Sequence, residues 1–307
     1  MIKALPKKVS WIGHQAWKYA WQAAHSSDAP TMPIFVVGCQ RSGSNMLMNV
    51  FDQFNEAWIY NEGRNTPAFV NYRIRPNAVL DALIRQTRAR YVVFKPLCDS
   101  QWVDRLLTIR PNAQAIWIYR DHRDVARSAV RKWGSHQKNV IRGIATLPSE
   151  AVGWQAERIT PKTIALVKRF YSPQMSDLAG AALKWYIRNQ IYFDLNLQHR
   201  DDVLLVRYED LVLYPDQTFP RLFDYLGCRY ETEHTREVFS SSVGGSGNIE
   251  LPDEIETLCD STLKRLDSVY RSQLHFGHCC FVAMAKVEGF AMSAANSENS
   301  ASHDEFT

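Results

Sequence analysis

Apolar positions along the chain follow two different periods. Short continuous apolar runs stand at Ile34 to Val37, Tyr91 to Phe94, Ala113 to Tyr119 and Val203 to Val206. Between them lie stretches in which apolar residues return every three or four positions. Runs bounded by turn residues read as buried strands, and the longer period reads as amphipathic helix. The first run passes through a loop of small residues, Gly38 to Gly43, into a helical face made of Met46, Leu47, Val50, Phe51 and Phe54. Trp58 to Tyr60 is a short apolar segment that ends at Asn61-Glu62-Gly63, and a polar loop follows as far as Asn77.

Further helices are predicted over 78–88, 101–109, from about 124 to Trp133, over 176–199, over 216–226 with Gly227 closing it, and over 252–270. Residues 134–175 interrupt the rhythm with Gly134, Gly143, Pro148, Gly153, Pro161 and Pro173. They are expected to form an irregular insertion facing the substrate. Strands alternating with helices predict an α/β fold of three α/β/α layers around a central parallel sheet. No linker or repeat divides the chain. The expected organisation is a helical segment over 1–32 packed on a single domain over 33–292, with a small, polar, disordered tail over 293–307.

Composition narrows the function little. Hydrophobic content of 46% and charged content of 22% fit a soluble globular protein. A formal charge of +4 permits anionic ligands, but no basic block suggests a nucleic-acid partner. The six cysteines form no disulfide framework, and Cys39, Cys98, Cys228 and Cys259 lie among apolar residues as reduced core cysteines do. His275, His278, Cys279 and Cys280 crowd together without a zinc spacing, so no metal is expected. Residues 1–25 carry Trp11, Trp17, Tyr19 and Trp21, but His14, Gln15, Lys18 and Gln22 break any apolar run. The segment is therefore neither signal peptide nor membrane span. It reads as an amphipathic helix on the protein's own surface, with peripheral membrane contact as the alternative. The expected location is cytoplasmic; oligomeric state is left open.

The chemistry concentrates at strand ends. A helix opening on a glycine turn presents unpaired N–H groups and a positive dipole end to an anion. Gly38 and Gly43 bracket four residues as in a P-loop, yet Ser44 and Asn45 stand where that motif has its lysine and hydroxyl residue. The cation lies inside the loop, as Arg41. Such a loop suits a phosphate but fits the β- and γ-phosphates of ATP poorly. In a parallel sheet, ligands bind beyond the carboxyl ends of the strands. The loops to inspect there carry Arg41 to Asn45, Asn61 to Arg64, Lys95 and Arg120, the last with Ser128 eight positions on.

This combination resembles the sulfotransferases that use 3′-phosphoadenosine-5′-phosphosulfate (PAPS), whose fold is P-loop-NTPase-like. Their first signature corresponds to Arg41-Ser42-Gly43-Ser44-Asn45, followed by Met46, and the resemblance implies that these residues hold the 5′-phosphosulfate. The second corresponds to Arg120 and Ser128 and implies a 3′-phosphate site. The third is Val206-Arg207-Tyr208-Glu209-Asp210-Leu211, which implies Tyr208 near the adenine. The histidine base of many cytosolic members is absent after Lys95, where the chain reads Pro96-Leu97-Cys98. The protein-tyrosine and carbohydrate branches place a glutamate where this chain has Glu62. The resemblance therefore implies Glu62 as general base, with Lys95 and Arg41 completing the catalytic set. It further implies PAPS as co-substrate, no metal, and a small-molecule or glycan acceptor accepting on a hydroxyl or amine. The loop Arg64, Tyr72, Arg73 and Arg75, with Trp154 and Tyr171, suggests an aromatic and locally basic acceptor pocket. A P-loop-like kinase or NTPase and a non-catalytic nucleotide-binding interaction protein are the rival readings.

Overall fold

The computed structural model describes residues 7–25, 29–240, 243–244 and 249–273. Among the described residues seven strands lie at β1 (Met32–Gly38), β2 (Ala57–Asn61), β3 (Phe69–Val70), β4 (Arg73–Ile74), β5 (Tyr91–Lys95), β6 (Gln114–Tyr119) and β7 (Val203–Arg207). Five form one wholly parallel sheet in the order β2-β5-β1-β6-β7, while β3 and β4 make a short antiparallel hairpin. The segment Trp58 to Tyr60, read only as apolar, thus becomes an edge strand.

The helices are α1 (Lys7–Ala24), α2 (Ser44–Gln53), α3 (Asn77–Gln86), α4 (Val103–Leu106), α5 (His122–Trp133), α6 (His136–Thr146), α7 (Ser149–Val152), α8 (Pro161–Phe170), α9 (Asp177–Asp194), α10 (Tyr208–Leu213), α11 (Pro215–Tyr225) and α12 over 253–273. Alternation along β1 sorts them into layers. Ile34 and Val36 face α2, α10 and α11 through Leu47, Phe51, Leu211 and Phe223. Phe35 and Val37 face the other way, onto a larger cluster with Trp117, Val125, Ile141 and Trp185 from β6, α5, α6 and α9. A sheet covered on both faces needs strands that are apolar throughout, as these are.

Three sequence expectations are corrected. Residues 134–175 are largely helical: α6 and α8 form an apolar layer, with Val140, Ile141, Ile144 and Val167 buried. Most of the glycines and prolines punctuate helix ends, with Gly134 closing α5 and Pro161 opening α8, while Gly143 is buried inside α6. The segment is therefore part of the core rather than an irregular substrate flap. The helix expected over 176–199 stops at Asp194, because Asn196 turns into the left-handed region at φ 53°. The region expected over 101–109 is short helical turns, beginning with a 3₁₀ helix, Leu97–Trp102. The 293–307 tail and the His275/Cys280 cluster lie outside the described residues.

Candidate active site

Because all five sheet strands run the same way, the loops after Gly38, Asn61, Lys95, Tyr119 and Arg207 open on one edge. There a cleft of about 350 Å³ is lined by Arg41, Gly43, Ser44, Asn45, Glu62, Leu97, Arg120, Ser128, Arg131 and Tyr208, with Gln40 and Trp133. Eight of the residues singled out from the sequence meet in it.

The loop after β1 has little freedom. Gly38 sits at φ 129°, and a Cβ there would lie 2.3 Å from the Ile118 carbonyl oxygen. Gly43, preceding α2 at φ 96°, has the Tyr208 ring where a Cβ would stand, 2.1 Å away. Arg41 itself takes a left-handed φ of 73°, a conformation that costs a non-glycine residue energy and recurs at functional sites. Ser100 Oγ holds the start of the loop by accepting from the Gly38 N–H at 3.0 Å and donating back to its carbonyl at 3.2 Å. The first turn of α2 carries no acidic side chain, so its positive end faces the cleft uncompensated. Ser42 is buried behind the loop, its hydroxyl without a hydrogen-bond partner among the described residues.

Arg41 joins the two anion signatures: its Nε donates to Ser128 Oγ at 3.0 Å, and its guanidinium lies 5.7 Å over the Trp133 ring. Burial, then repulsion from Arg120 and Arg131, lowers its pKa. Arg120 is nearly buried. It pairs with Asp124 at 2.8 Å and stacks 4.5 Å above the Tyr208 ring. The indole of Trp185 on α9 fixes the backbone beneath it by donating to the Arg120 carbonyl at 2.9 Å.

Lys95 is buried and is not among the residues that line the cleft; its Nζ donates at 2.5 Å to Oδ1 of Asn45, which does line it. Burial lowers the Lys95 pKa while Glu62 pulls it back up. Burial raises the Glu62 pKa, Lys95 opposes the rise and Asp99 adds to it; the Leu97 amide and Cys98 thiol also offer it hydrogen bonds. Its Oε2 is buried with no hydrogen-bond partner among the described residues, whereas Arg64 beside it in sequence is exposed. A carboxylate so placed is a stronger base than a solvated one and has an acceptor position to spare.

Met46 does not line the cleft; it packs against the apolar cluster beneath α2. Nor is the loop after Glu62 a basic acceptor pocket. Arg73 is held by Asp99 at 2.6 Å and by both Glu157 oxygens at 3.0 and 2.8 Å, and Arg75 is turned to Asn65 and Thr66. Trp154 lies against Lys184 and Arg188. Sequence reasoning missed Arg131 and Trp133, although the former lies one helical turn beyond Ser128. It also missed Ser100 and Arg188, whose roles come from contacts distant in sequence. Arg188 is almost fully buried and donates to the Leu97 carbonyl and Gln101 Oε1, both at 2.9 Å, securing the 3₁₀ helix beside Glu62. Among the described residues no three His, Cys, Asp or Glu side chains are grouped to hold a metal ion.

Residues 32–243 match the family described as sulfotransferase domain. Among solved structures, the chain is similar to the sulfotransferase domain from the curacin biosynthetic pathway, with 16% identity over 76% of this chain and 98% of that one and a TM-score of 0.41. The sulfotransferase from Alicyclobacillus acidocaldarius gives 16% identity over 81% and 97%, with a TM-score of 0.43. Mouse sulfotransferase SULT7A1, complexed with PAP, gives 15% over 76% and 72%, with a TM-score of 0.38. No curated protein sequence matches the chain.

Proposed function

The chain belongs to the sulfotransferase domain family, and from that premise we propose that it moves a sulfuryl group from PAPS to a hydroxyl of a small polar acceptor, with Glu62 as general base. The observation that carries this reading is that Arg41, Arg120, Ser128 and Glu62 all line one cleft. A donor with a phosphate at each end of its nucleoside needs two anion sites in one cleft, and a mononucleotide does not.

The N-terminus of α2 with Ser44 and Asn45 takes the 5′-phosphosulfate, and Lys95 balances the charge that grows on its bridging oxygen. Arg120 and Ser128 take the 3′-phosphate. Arg41, hydrogen-bonded to Ser128, lends its charge to that end as well as to the loop. Tyr208 is wedged against Gly43 and beneath Arg120, so it serves as a wall of the site. Trp133, 37% exposed in the same cleft with Arg41 over its ring, offers an aromatic surface for the adenine.

In the transfer, the acceptor oxygen forms a bond to sulfur as the bond from sulfur to the phosphate oxygen breaks, and adenosine 3′,5′-bisphosphate leaves. The acceptor's proton passes to the Glu62 carboxylate. Positioning and charge stabilisation supply most of the acceleration, as in phosphoryl transfer. With Arg73 and Arg75 engaged elsewhere, the acceptor side suits a neutral hydroxyl such as a sugar's better than an acidic molecule. The test is transfer of labelled sulfuryl from PAPS to a panel of sugars, phenols and small alcohols. Product formed by the wild-type protein and lost in Glu62→Gln is expected. Protection of the fold by Mg-ATP but not by adenosine 3′,5′-bisphosphate would overturn the reading in favour of a kinase.

A further inference from the structure

The N-terminal helix is seated the wrong way round for a helix whose aromatic residues belong to the core. On α1, His14, Lys18 and Gln22 fall four residues apart and form the inward stripe. Lys18, 1% exposed, donates to the carbonyl and carboxylate oxygens of Asp52 at 2.9 and 3.0 Å. His14 lies 3.3 Å from the same carbonyl, and Gln22 donates to the Asn55 and Ala57 carbonyls at 2.8 and 3.4 Å. From Gly13 onward the helix is thus anchored through polar groups, while Trp17 and Tyr19 face out. Gly13, Ala16, Trp17, Ala20 and Ala24 make an exposed helical face, flanked by Tyr19. Trp17 is 60% and Tyr19 58% exposed. Two large aromatic rings exposed on one helix, beside small residues, offer apolar area that burial against a partner would stabilise.

The surface beside this face says what kind. One turn beyond Trp17, Trp21 lines a cleft of about 240 Å³ together with Arg88, Arg90 and Arg229; Glu56 lies in it, Arg229 also pairs with Glu231 at 3.8 Å, and Arg90 donates to the Pro30 carbonyl at 3.0 Å. An aromatic and small-residue stripe bordered by arginines is the chemistry of an interfacial helix on an anionic bilayer. The rings enter the headgroup layer and the guanidinium groups meet phosphates. No helix among the described residues is long and apolar enough to cross a membrane. We propose that α1 and its arginine cleft dock this protein onto an anionic phospholipid surface. The geometry leaves the active cleft free, because the arginine cleft is lined by Tyr91 at the start of β5 and α1 is anchored at the start of β2. Docking therefore occupies the sheet edge opposite the one that carries Glu62 and Arg120. This inference does not rest on the identity of the donor.

The test is co-sedimentation of the full chain with vesicles of phosphatidylcholine alone and of phosphatidylcholine and phosphatidylglycerol in equal amounts. Binding to the mixed vesicles, weakened by added salt, is expected. Arg88→Glu should cut it at least about five-fold, since one basic residue near such a surface is worth that much. Trp17→Ser should release the protein while melting temperature and sulfuryl transfer to a soluble acceptor stay as in the wild type. Equal sedimentation with both vesicle types, or binding unchanged in Trp17→Ser, would overturn the proposal. So would a wild-type dimer that Trp17→Ser converts to monomer, which would make a second copy the occupant of this face.

Discussion

Two neighbouring regions of this molecule are built from the same kinds of side chain and arranged oppositely. Behind the 3₁₀ helix Leu97–Trp102, the arginines are held by partners, although buried Lys184 beside Arg188 has no carboxylate partner among the described residues and donates to the Gln155 carbonyl at 3.3 Å. Arg73 is clasped by Asp99 and Glu157, Arg158 by Asp104 at 2.6 and 3.0 Å, and Arg188 by carbonyl oxygens. In the cleft in front of it, Arg41, Arg120 and Arg131 crowd one another, with Asp124 pairing Arg120, and Arg41 donates to a serine. The contrast teaches that arginine count does not mark a site. The rear network is a brace that spends its charge on itself; the cleft stores positive charge that an anion would relieve.

Substitutions can break this contrast. The largest effect is expected from Glu62→Gln, which removes the proposed base and should lower kcat by about 10²–10⁴-fold. Titration with adenosine 3′,5′-bisphosphate should change little in the same variant. Next, Arg120→Ala should weaken binding of that nucleotide about ten- to a hundred-fold, following the roughly 1.5–3 kcal/mol of a charged hydrogen bond. Arg73→Met is the counterpart on the brace. It leaves Asp99, whose side chain is 4% exposed, without its guanidinium. It should therefore cost about 2–3 kcal/mol of stability in denaturant unfolding while nucleotide affinity holds. A loss of affinity as large as that of Arg120→Ala would erase the distinction between the regions.

The smallest effect is in the pH profile. The base works deprotonated, and the Glu62 pKa is raised, so kcat/KM should climb with pH at a point above that of an ordinary glutamate. Lys95 works protonated, and its pKa is lowered, so activity should fall below the pH at which an ordinary lysine titrates. Glu62→Gln should erase the acid limb and leave the alkaline one.

Much of the fold could be read from local pattern. The passage from Ile34 to Phe54 declares strand, loop and helix because the apolar period changes on either side of two glycines whose positions leave no room for a Cβ. The spacing of Arg120 and Ser128 was likewise local, since one strand end and the helix after it carry both. What escaped depends on contacts distant in sequence. Ser100 holds Gly38 and Arg188 holds Leu97, and neither partner is near in sequence. The glycines and prolines of 134–175 were read as breakers because composition does not say whether such a residue stands inside a helix or at its end. The expectation of a basic acceptor pocket around Arg73 fails because its pairing is invisible until Asp99 and Glu157 are brought beside it.

The central claim is that one cleft holds both phosphate ends of a single nucleotide. Calorimetric titration with adenosine 3′,5′-bisphosphate tests it most directly, comparing the wild type with Arg41→Ala and Arg120→Ala. The account predicts one molecule bound per chain, weakened in both variants, with no competition from Mg-ATP. Binding that is unchanged in either variant, or displaced by Mg-ATP, would contradict it.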